Sequence, residues 1–215
     1  MTMQLPLANQ LKKQAHRDVA HLQDELIQMA YELESDLVLH GGTAIWRCYG
    51  GNRFSEDLDF YGNAEKLEKE LEDLTRTRGL RINKNKKTDK LLFSKITDGQ
   101  CEVRLEINRT VRKKPTAAPY RKIDGSFLTV LTLTPEELIL EKINAYNNRR
   151  LIRDAYDLFH LSTLASDAPG LQQKMRTFLS NPPLPMDEKN LKTIVYTGAV
   201  PTFEQIKQAL KRRWA

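Results

Sequence analysis

The chain has 215 residues, of which 40% are hydrophobic and 29% are charged, a composition typical of a globular protein with one large or two small domains. No apolar run approaches the roughly 20 residues of a membrane-spanning helix, and the first residues lack the pattern of a secretory signal, so we expect a cytoplasmic protein with no membrane partner. Two cysteines exclude a disulfide framework. The net charge of +6 is compatible with a polyanionic partner such as RNA.

The N-terminal part alternates between helical and strand-like patterns. Apolar residues recur at helical spacing from Leu11 to Leu33, which predicts one long amphipathic helix. The elements predicted after it are, in chain order, a strand at 37–39, a short helix capped by Thr43 and ending near Tyr49, a strand at 53–61, a helix ended by Gly79, and strands at 80–83, 91–96, 101–108 and 127–131. Residues 109–126 carry Pro115 and Pro119 and are predicted to form a basic loop.

The pattern becomes helical after residue 133. Thr134-Pro135-Glu136-Glu137 is a capping box with proline at the first helical position. Further helices are predicted at about 135–147, 151–165 and 170–180, and from near Thr202. We therefore predict an α+β fold, in which an N-terminal mixed β-sheet flanked by helices (1–133) is followed by an all-helical C-terminal half (134–215).

The most informative stretch is HGGTAIWRCYGGNRFSEDLDF, residues 40–60. Alternate residues of a β-strand share one face, so a strand here would place a guanidinium, a hydroxyl and two carboxylates together, from Arg53, Ser55, Asp57 and Asp59. The intervening residues are apolar and are expected to face the core: Phe54, Leu58 and Phe60. Two neighbouring carboxylates repel each other unless a cation lies between them. Mg²⁺ suits such ligands, since proteins bind it through one or two carboxylates plus substrate phosphates; the alternative is an exposed acidic face that discourages edge pairing.

The glycine pair Gly41-Gly42 precedes this strand and opens a short helix. Glycines allow the backbone to approach a phosphate closely, and the N–H groups at the start of a helix then point toward it. The alternative is an ordinary turn between a strand and a helix.

These two features together resemble a known family. GGTA at residues 41–44, followed by RxSxDxD at residues 53–59, is similar to the signature of the nucleotidyltransferase superfamily and closest to that of the AbiEii/AbiGii-type, or MenT-like, nucleotidyltransferase toxins. A second block is similar to that family's RDxYDL segment: Lys142 on a helix, followed by RDAYDL at residues 153–158. The resemblance implies a nucleotidyltransferase-like N-terminal domain whose active site is completed by the helical half.

The resemblance also implies roles for individual residues. The implied catalytic residues are Asp57, Asp59, Lys142 and Asp154. The implied metal ligands are Asp57, Asp59 and, as a third carboxylate, Glu106, with Glu102 as the fallback. The implied nucleotide-binding residues are Gly41, Gly42, Thr43, Arg53, Ser55, Lys142, Arg153 and Asp157. Alternatives also stay open for Ser55 as a solvent-facing strand residue, Glu106 as a surface residue paired with Arg104, Lys142 as a lysine reaching the surface, and Asp157 as a charge near a helix N-terminus.

The function implied by the resemblance is Mg²⁺-dependent transfer of a nucleoside monophosphate from an NTP, with Mn²⁺ as the alternative metal. The expected acceptor is the 3′ end of tRNA, for which the basic segments 84–90 and 109–122 would supply phosphate contacts. The protein would be the toxin of a toxin–antitoxin system related to phage defence, with a cognate antitoxin as partner. Two alternatives stay open: a non-catalytic RNA- or antitoxin-binding module on a decayed scaffold, and a transferase that adds AMP or phosphate to a protein.

Overall fold

The computed structural model of the chain describes residues 6–214, which form two compact units. The first unit contains residues 6–48 and Phe54–Leu133, and the second contains Tyr49–Arg53 and residues 134–214. The elements of the first unit are α1 (Leu7–Gln10), α2 (Gln14–Leu33), β1 (Val38–His40), α3 (Gly41–Cys48), β2 (Leu58–Tyr61), α4 (Glu65–Thr77), β3 (Arg81–Lys87), β4 (Leu91–Thr97), β5 (Glu102–Asn108), β6 (Thr116–Arg121) and β7 (Phe127–Thr132). No helix among the described residues is both long and apolar enough to cross a membrane.

The seven strands form one mixed sheet in the order β3-β4-β5-β2-β1-β7-β6. β1 runs parallel to β7 and β2 runs parallel to β5, whereas the other neighbouring pairs are antiparallel. Strand β5 shows why one face of the sheet is covered: Val103, Leu105 and Ile107 are buried in the core, and the residues between them are not. The predicted α+β fold with a mixed sheet flanked by helices is confirmed.

The long helix predicted from Leu11 to Leu33 is present as α2, but it begins three residues later than predicted, at Gln14. Leu11 ends α1 with an extended backbone, Lys13 is extended as well, and α2 begins only at Gln14. Leu11 is nevertheless buried, so its apolar side chain fits the helical spacing without lying in a helix.

The basic segment 109–126 is not wholly a loop, because it contains β6. Two prolines in this segment favoured the prediction of a loop. Pro115 precedes the strand, and Pro119 lies within it at an exposed position. β6 is an edge strand of the sheet, and an edge strand tolerates proline since the missing N–H can face solvent.

The second unit is helical, as predicted for the C-terminal half. Its elements are α5 (Pro135–Arg149), α6 (Ile152–Leu161), α7 (Pro169–Ser180), a 3₁₀-helix (Glu188–Asn190), α8 (Leu191–Ile194) and α9 (Phe203–Trp214). Thr134 caps α5 by accepting a hydrogen bond from the Glu137 backbone N–H. The ring of Tyr146 packs against Phe178 and Phe203, and Trp214 near the C-terminus is buried with its indole N–H donating to Ser162.

The segment 49–53 joins the second unit through its backbone. Arg53 forms an isolated antiparallel bridge with Val195. The Asn52 carbonyl accepts a hydrogen bond from the Tyr196 backbone N–H, and the Gly51 carbonyl accepts one from the Tyr196 hydroxyl. The chain therefore passes from one unit to the other within the predicted strand 53–61, and regular strand geometry begins only at Leu58.

Candidate active site

Gly41 and Asp59 are in direct contact at the end of β1. In the antiparallel pairing of β1 with β2, His40 lies opposite Asp59. Gly41 follows His40 directly and therefore lies against the carboxylate of Asp59. Gly41 has φ +73°, and a Cβ placed there would lie 2.8 Å from Asp59 Oδ2. Both the left-handed backbone and the close approach require glycine. The His40 ring stacks on Tyr61, which gives this histidine a structural role.

Two buried polar side chains hold the irregular segment between Phe54 and Leu58. The Thr43 hydroxyl donates to the Asp57 carbonyl at 2.5 Å, and the Gln23 amide donates to the Ser55 carbonyl at 2.9 Å. Helix α3 begins at Gly41, so the prediction that Thr43 caps it was wrong: Thr43 lies inside the helix, buried, and orders the backbone that carries Asp57.

Asp57 and Asp59 both lie close to the positively charged side chain of Arg104. Arg104 on β5 places its Nη2 at 2.7 Å from Asp57 Oδ2 and at 3.7 Å from Asp59 Oδ1. The two aspartate side chains are 30% and 25% exposed, so both are reachable from solvent. The repulsion between neighbouring carboxylates, which the sequence predicts must be relieved by a cation, is relieved here by a guanidinium.

Sequence reasoning missed this contact of Arg104. The partner that the sequence suggests for Arg104 is Glu106, on the same strand. The contact depends on the parallel pairing of β2 with β5, which brings Arg104 to Asp57, 47 positions earlier in the chain.

Glu106, the predicted third metal ligand, lies opposite Asp59 in the register of β2 and β5. The fallback Glu102 is engaged elsewhere, since its carboxylate accepts hydrogen bonds from Lys95 and Asn83. Within residues 6–214, no three carboxylate, imidazole or thiol groups converge closely enough to hold a metal ion. Asp57 and Asp59 alone fit Mg²⁺, which takes one or two protein carboxylates when substrate phosphates complete its shell. A third ligand from Glu106 stays a prediction.

The second unit holds a separate group of predicted site residues, connected by ion pairs. Arg53 binds Asp157 through two parallel hydrogen bonds, from Nε at 2.6 Å and from Nη2 at 2.5 Å. Lys142 Nζ lies 2.8 Å from Asp157 and 3.3 Å from Asp154. The carboxylates of Asp154 and Asp157 are buried, and so are Arg53 and Lys142.

Arg149 connects this network to solvent. Its guanidinium makes two hydrogen bonds of 2.7 Å to Asp154, while its side chain stays 43% exposed. The two carboxylates thus face three cations, from Arg53, Lys142 and Arg149, and the five side chains carry one net positive charge. An excess of positive charge of this kind favours the approach of a phosphate.

The ion pairs outweigh burial in setting the charge state of this network. Burial by itself raises the pKa of Asp157, but the charges of Arg53 and then Lys142 more than offset this, and the net shift is downward. For Arg53, burial lowers the pKa of the guanidinium, but the Asp157 carboxylate raises it by more, so the net shift of this pKa is upward. Both groups are therefore charged at neutral pH.

The structure thus corrects the placement of Arg53. The sequence predicts that it shares a strand face with Ser55, Asp57 and Asp59, but it belongs to the helical unit and pairs with Asp157. Arg153, predicted to bind nucleotide, is half-buried and its Nε has no hydrogen-bond partner among the described residues. Gly42 is the second residue of α3, and Ser55 is half-buried beside the segment that Gln23 holds.

These residues lie in a region that matches a known protein family. Residues 26–207 match the family described as nucleotidyl transferase AbiEii toxin, type IV toxin–antitoxin system. The chain belongs to this family. The resemblance drawn from GGTA and RxSxDxD is confirmed, and membership in this AbiEii family implies a nucleotide substrate and an antitoxin partner.

Solved structures support the fold of this AbiEii-family chain. JHP933 from Helicobacter pylori is similar with a TM-score of 0.65 and 21% identity, over 95% of this chain and 91% of that one. MenT4, a nucleotidyltransferase toxin from Mycobacterium tuberculosis H37Rv, is similar with a TM-score of 0.63 and 19% identity, over 97% of this chain and 87% of that one. Among curated proteins, no sequence matches the chain.

Proposed function

We propose that this AbiEii-family protein transfers a nucleoside monophosphate from an NTP to the 3′ end of tRNA, with Mg²⁺ bound by Asp57 and Asp59. The observation that carries the proposal is that these two carboxylates, partly open to solvent, converge on one cation at the point where Gly41 brings the backbone against Asp59. Because the donor and tRNA both occur in the cytoplasm, we place the reaction there.

In the proposed reaction, a hydroxyl oxygen of the acceptor forms a bond to the α-phosphorus of the NTP. The bond between the α-phosphorus and the bridging oxygen breaks, pyrophosphate leaves, and the hydroxyl proton passes to water. Mg²⁺, when bound, supplies charge neutralisation for the triphosphate and the reacting oxygens. Asp57 and Asp59 hold it, Gly41 and Gly42 leave room for phosphate at the start of α3, and Ser55 donates a hydrogen bond to phosphate.

The helical unit contributes fixed positive charge in this proposal. Lys142 is an ammonium held by two carboxylates, and an ammonium has three donors, so one remains for a phosphate oxygen. Asp154 orients Lys142 and Arg149. Asp157 holds Arg53 and acts as a positioning residue.

The test incubates the purified protein with Mg²⁺, total tRNA and each α-³²P-labelled NTP in turn. Asp57→Ala is the active-site variant, and Asp73→Ala is the matched control, because Asp73 lies on the exposed side of α4 with a side chain that is 77% exposed. Label on tRNA that is lost in Asp57→Ala and retained in Asp73→Ala is the expected result. Label on a protein instead of tRNA would assign a protein acceptor, and an absence of label with both acceptors would contradict the proposal.

A further inference from the structure

The open face of the sheet carries a row of aligned side chains that begins at Asp59. Strand register places Asp59 opposite Glu106, Glu106 opposite Phe93, and Phe93 opposite Lys86, across β2, β5, β4 and β3. Residues paired in this way point to the same side of a sheet. The row therefore runs from the candidate metal ligand to the edge strand.

A parallel row of cations lies beside it. Arg104 lies opposite Lys95, and Lys95 lies opposite Lys84. Arg104 contacts Asp57 and Lys95 pairs with Glu102. Lys84 and, in the first row, Lys86 form no ion pair within residues 6–214, so these two lysines carry the positive charge that is not neutralised. Both of these lysines are exposed.

Phe93 lies on β4 beside both lysines, directly opposite Lys86 and diagonal to Lys84. The residue is half-buried, and Lys84 Nζ lies 5.9 Å from the centroid of its ring. An aromatic ring on an open sheet face, flanked by lysines, is the arrangement by which proteins bind single-stranded nucleic acid: bases stack on the ring and cations contact the phosphates.

The position of Phe93 relative to Asp57 and Asp59 indicates which of the two substrates this face of the sheet would bind. Gly41 lies on the β1 side of Asp59, and Phe93 lies on its other side, across β5. With strands about 4.8 Å apart, Phe93 is roughly 10 Å from the line of β2. The donor triphosphate, which uses the glycine side, and a second substrate on the Phe93 side would therefore meet at Asp57 and Asp59.

We propose that Phe93, Lys84 and Lys86 form an acceptor platform that binds the single-stranded 3′ segment of the RNA. A base near the 3′ end stacks on Phe93, the two lysines contact its phosphates, and the terminal hydroxyl reaches the carboxylates. The inference rests on the proposed function for the identity of the acceptor, but it concerns binding, which can be measured without catalysis.

The competing explanation is that the lysines only protect an edge strand from pairing with other chains. Adjacent residues on β3 separate the two explanations. Lys86 lies on the platform side, whereas Lys87 points to the opposite side, where its ammonium donates to the Glu68 carbonyl of α4. The change from lysine to alanine removes the same charge from the same strand at both positions.

The experiment measures fluorescence anisotropy of a fluorescein-labelled, ten-nucleotide single-stranded RNA with the full-length protein, without NTP or Mg²⁺. Phe93→Ala is expected to weaken binding by about 5- to 150-fold, the range for loss of one base–aromatic stack, while Phe93→Tyr retains it. Lys86→Ala is expected to lower the steepness of the salt dependence by about 0.7, the value for one phosphate on a single strand, and Lys87→Ala to leave it unchanged. Thermal unfolding of each variant confirms that the fold is intact.

Three results would overturn the platform: no binding of the RNA by the wild-type protein, equal binding by Phe93→Ala and Phe93→Tyr, or equal effects of Lys86→Ala and Lys87→Ala. Asp57→Ala keeps the failure of the platform distinct from failure of the proposed function. If Asp57→Ala abolishes labelling of tRNA while Phe93→Ala binds RNA normally, the platform is wrong and the transfer reaction stands. If Phe93 and Lys86 are needed for RNA binding but no NTP labels RNA, this face binds RNA, whereas its role as an acceptor platform and the proposed transfer to RNA are both wrong.

Discussion

Substitution of Asp157 by asparagine tests whether the buried ion network stabilises the helical unit. The carboxylate is 1% exposed and pairs with Arg53 and Lys142, whose side chains are 4% and 6% exposed. Asparagine has nearly the same size as aspartate but no negative charge. The substitution therefore leaves the buried cations of Arg53 and Lys142 with less negative charge to neutralise them. Breaking a buried pair in this way costs about 3–5 kcal/mol. For a chain of this length each kcal/mol lowers Tm by about 2–4 °C, so we expect Tm to fall by roughly 6–20 °C.

The assay is urea and thermal denaturation followed by circular dichroism, which reports the helical unit strongly. Asp73→Asn is the control, because it removes the same charge from an ion pair with Arg76 whose two side chains are 77% and 80% exposed. Such surface pairs contribute little, so Tm should not change. Equal unfolding free energies for Asp157→Asn and Asp73→Asn would refute the claim that the network is a stabilising contact.

The pH dependence provides a second readout of the same carboxylate. The pKa of Asp157 is lowered on folding, because Arg53 and Lys142 outweigh the effect of burial. A lowered pKa contributes stability that is complete above the unfolded value, about 3.9, and is lost as the pH falls through the folded value. The difference in unfolding free energy between wild type and Asp157→Asn should therefore be constant above about pH 5 and shrink below about pH 4.

Three further predictions concern the carboxylate group of the first unit. Gly41→Ala should abolish nucleotide transfer, because the added Cβ would collide with Asp59. Gly79→Ala is the control: Gly79 has a similar φ of +70°, but an added Cβ would meet no atom within 4 Å, so only stability should fall. Nucleotide transfer by Gly41→Ala would refute the steric argument. Thr43→Val should lower the unfolding free energy measured in urea by about 0.5–1.5 kcal/mol, because it removes the hydrogen bond from the buried Thr43 hydroxyl to the Asp57 carbonyl. Arg104→Ala should increase the affinity for Mn²⁺ by up to about fivefold, because it removes a half-exposed guanidinium that competes with the metal for Asp57. Electron paramagnetic resonance titrations measure this affinity, and an unchanged value would show that Arg104 does not compete.

The sequence was sufficient to predict the fold where local patterns and burial agree. The alternation in β5 and the capping box at Thr134 each satisfy local and tertiary requirements at once, so their elements were found within a few residues. Leu58 and Phe60 were placed in the core for the same reason. An element can be predicted from one sequence when its local propensity and its burial in the fold favour the same structure.

The errors arose where tertiary contacts override local signals. Pro119 is a strong loop signal, yet it lies in β6 because that strand is at the sheet edge, a position that no local pattern reveals. Residues 54–57 alternate like a strand, but side chains from α2 and α3 hold their backbone instead of a neighbouring strand. In both places the deciding partner is distant in the sequence.

The candidate site shows the same limit for charged side chains. A motif specifies that Asp57 and Asp59 need a cation and that Arg53 needs an anion, but any opposite charge satisfies either requirement. The partners are selected by topology: Arg104 reaches Asp57 because β2 pairs with β5, and Arg53 reaches Asp157, 104 residues later, because segment 49–53 packs in the helical unit. The local sequence therefore shows which side chains carry charge, whereas the assignment of each charge to its counter-ion requires the register of the sheet and the packing of the helices.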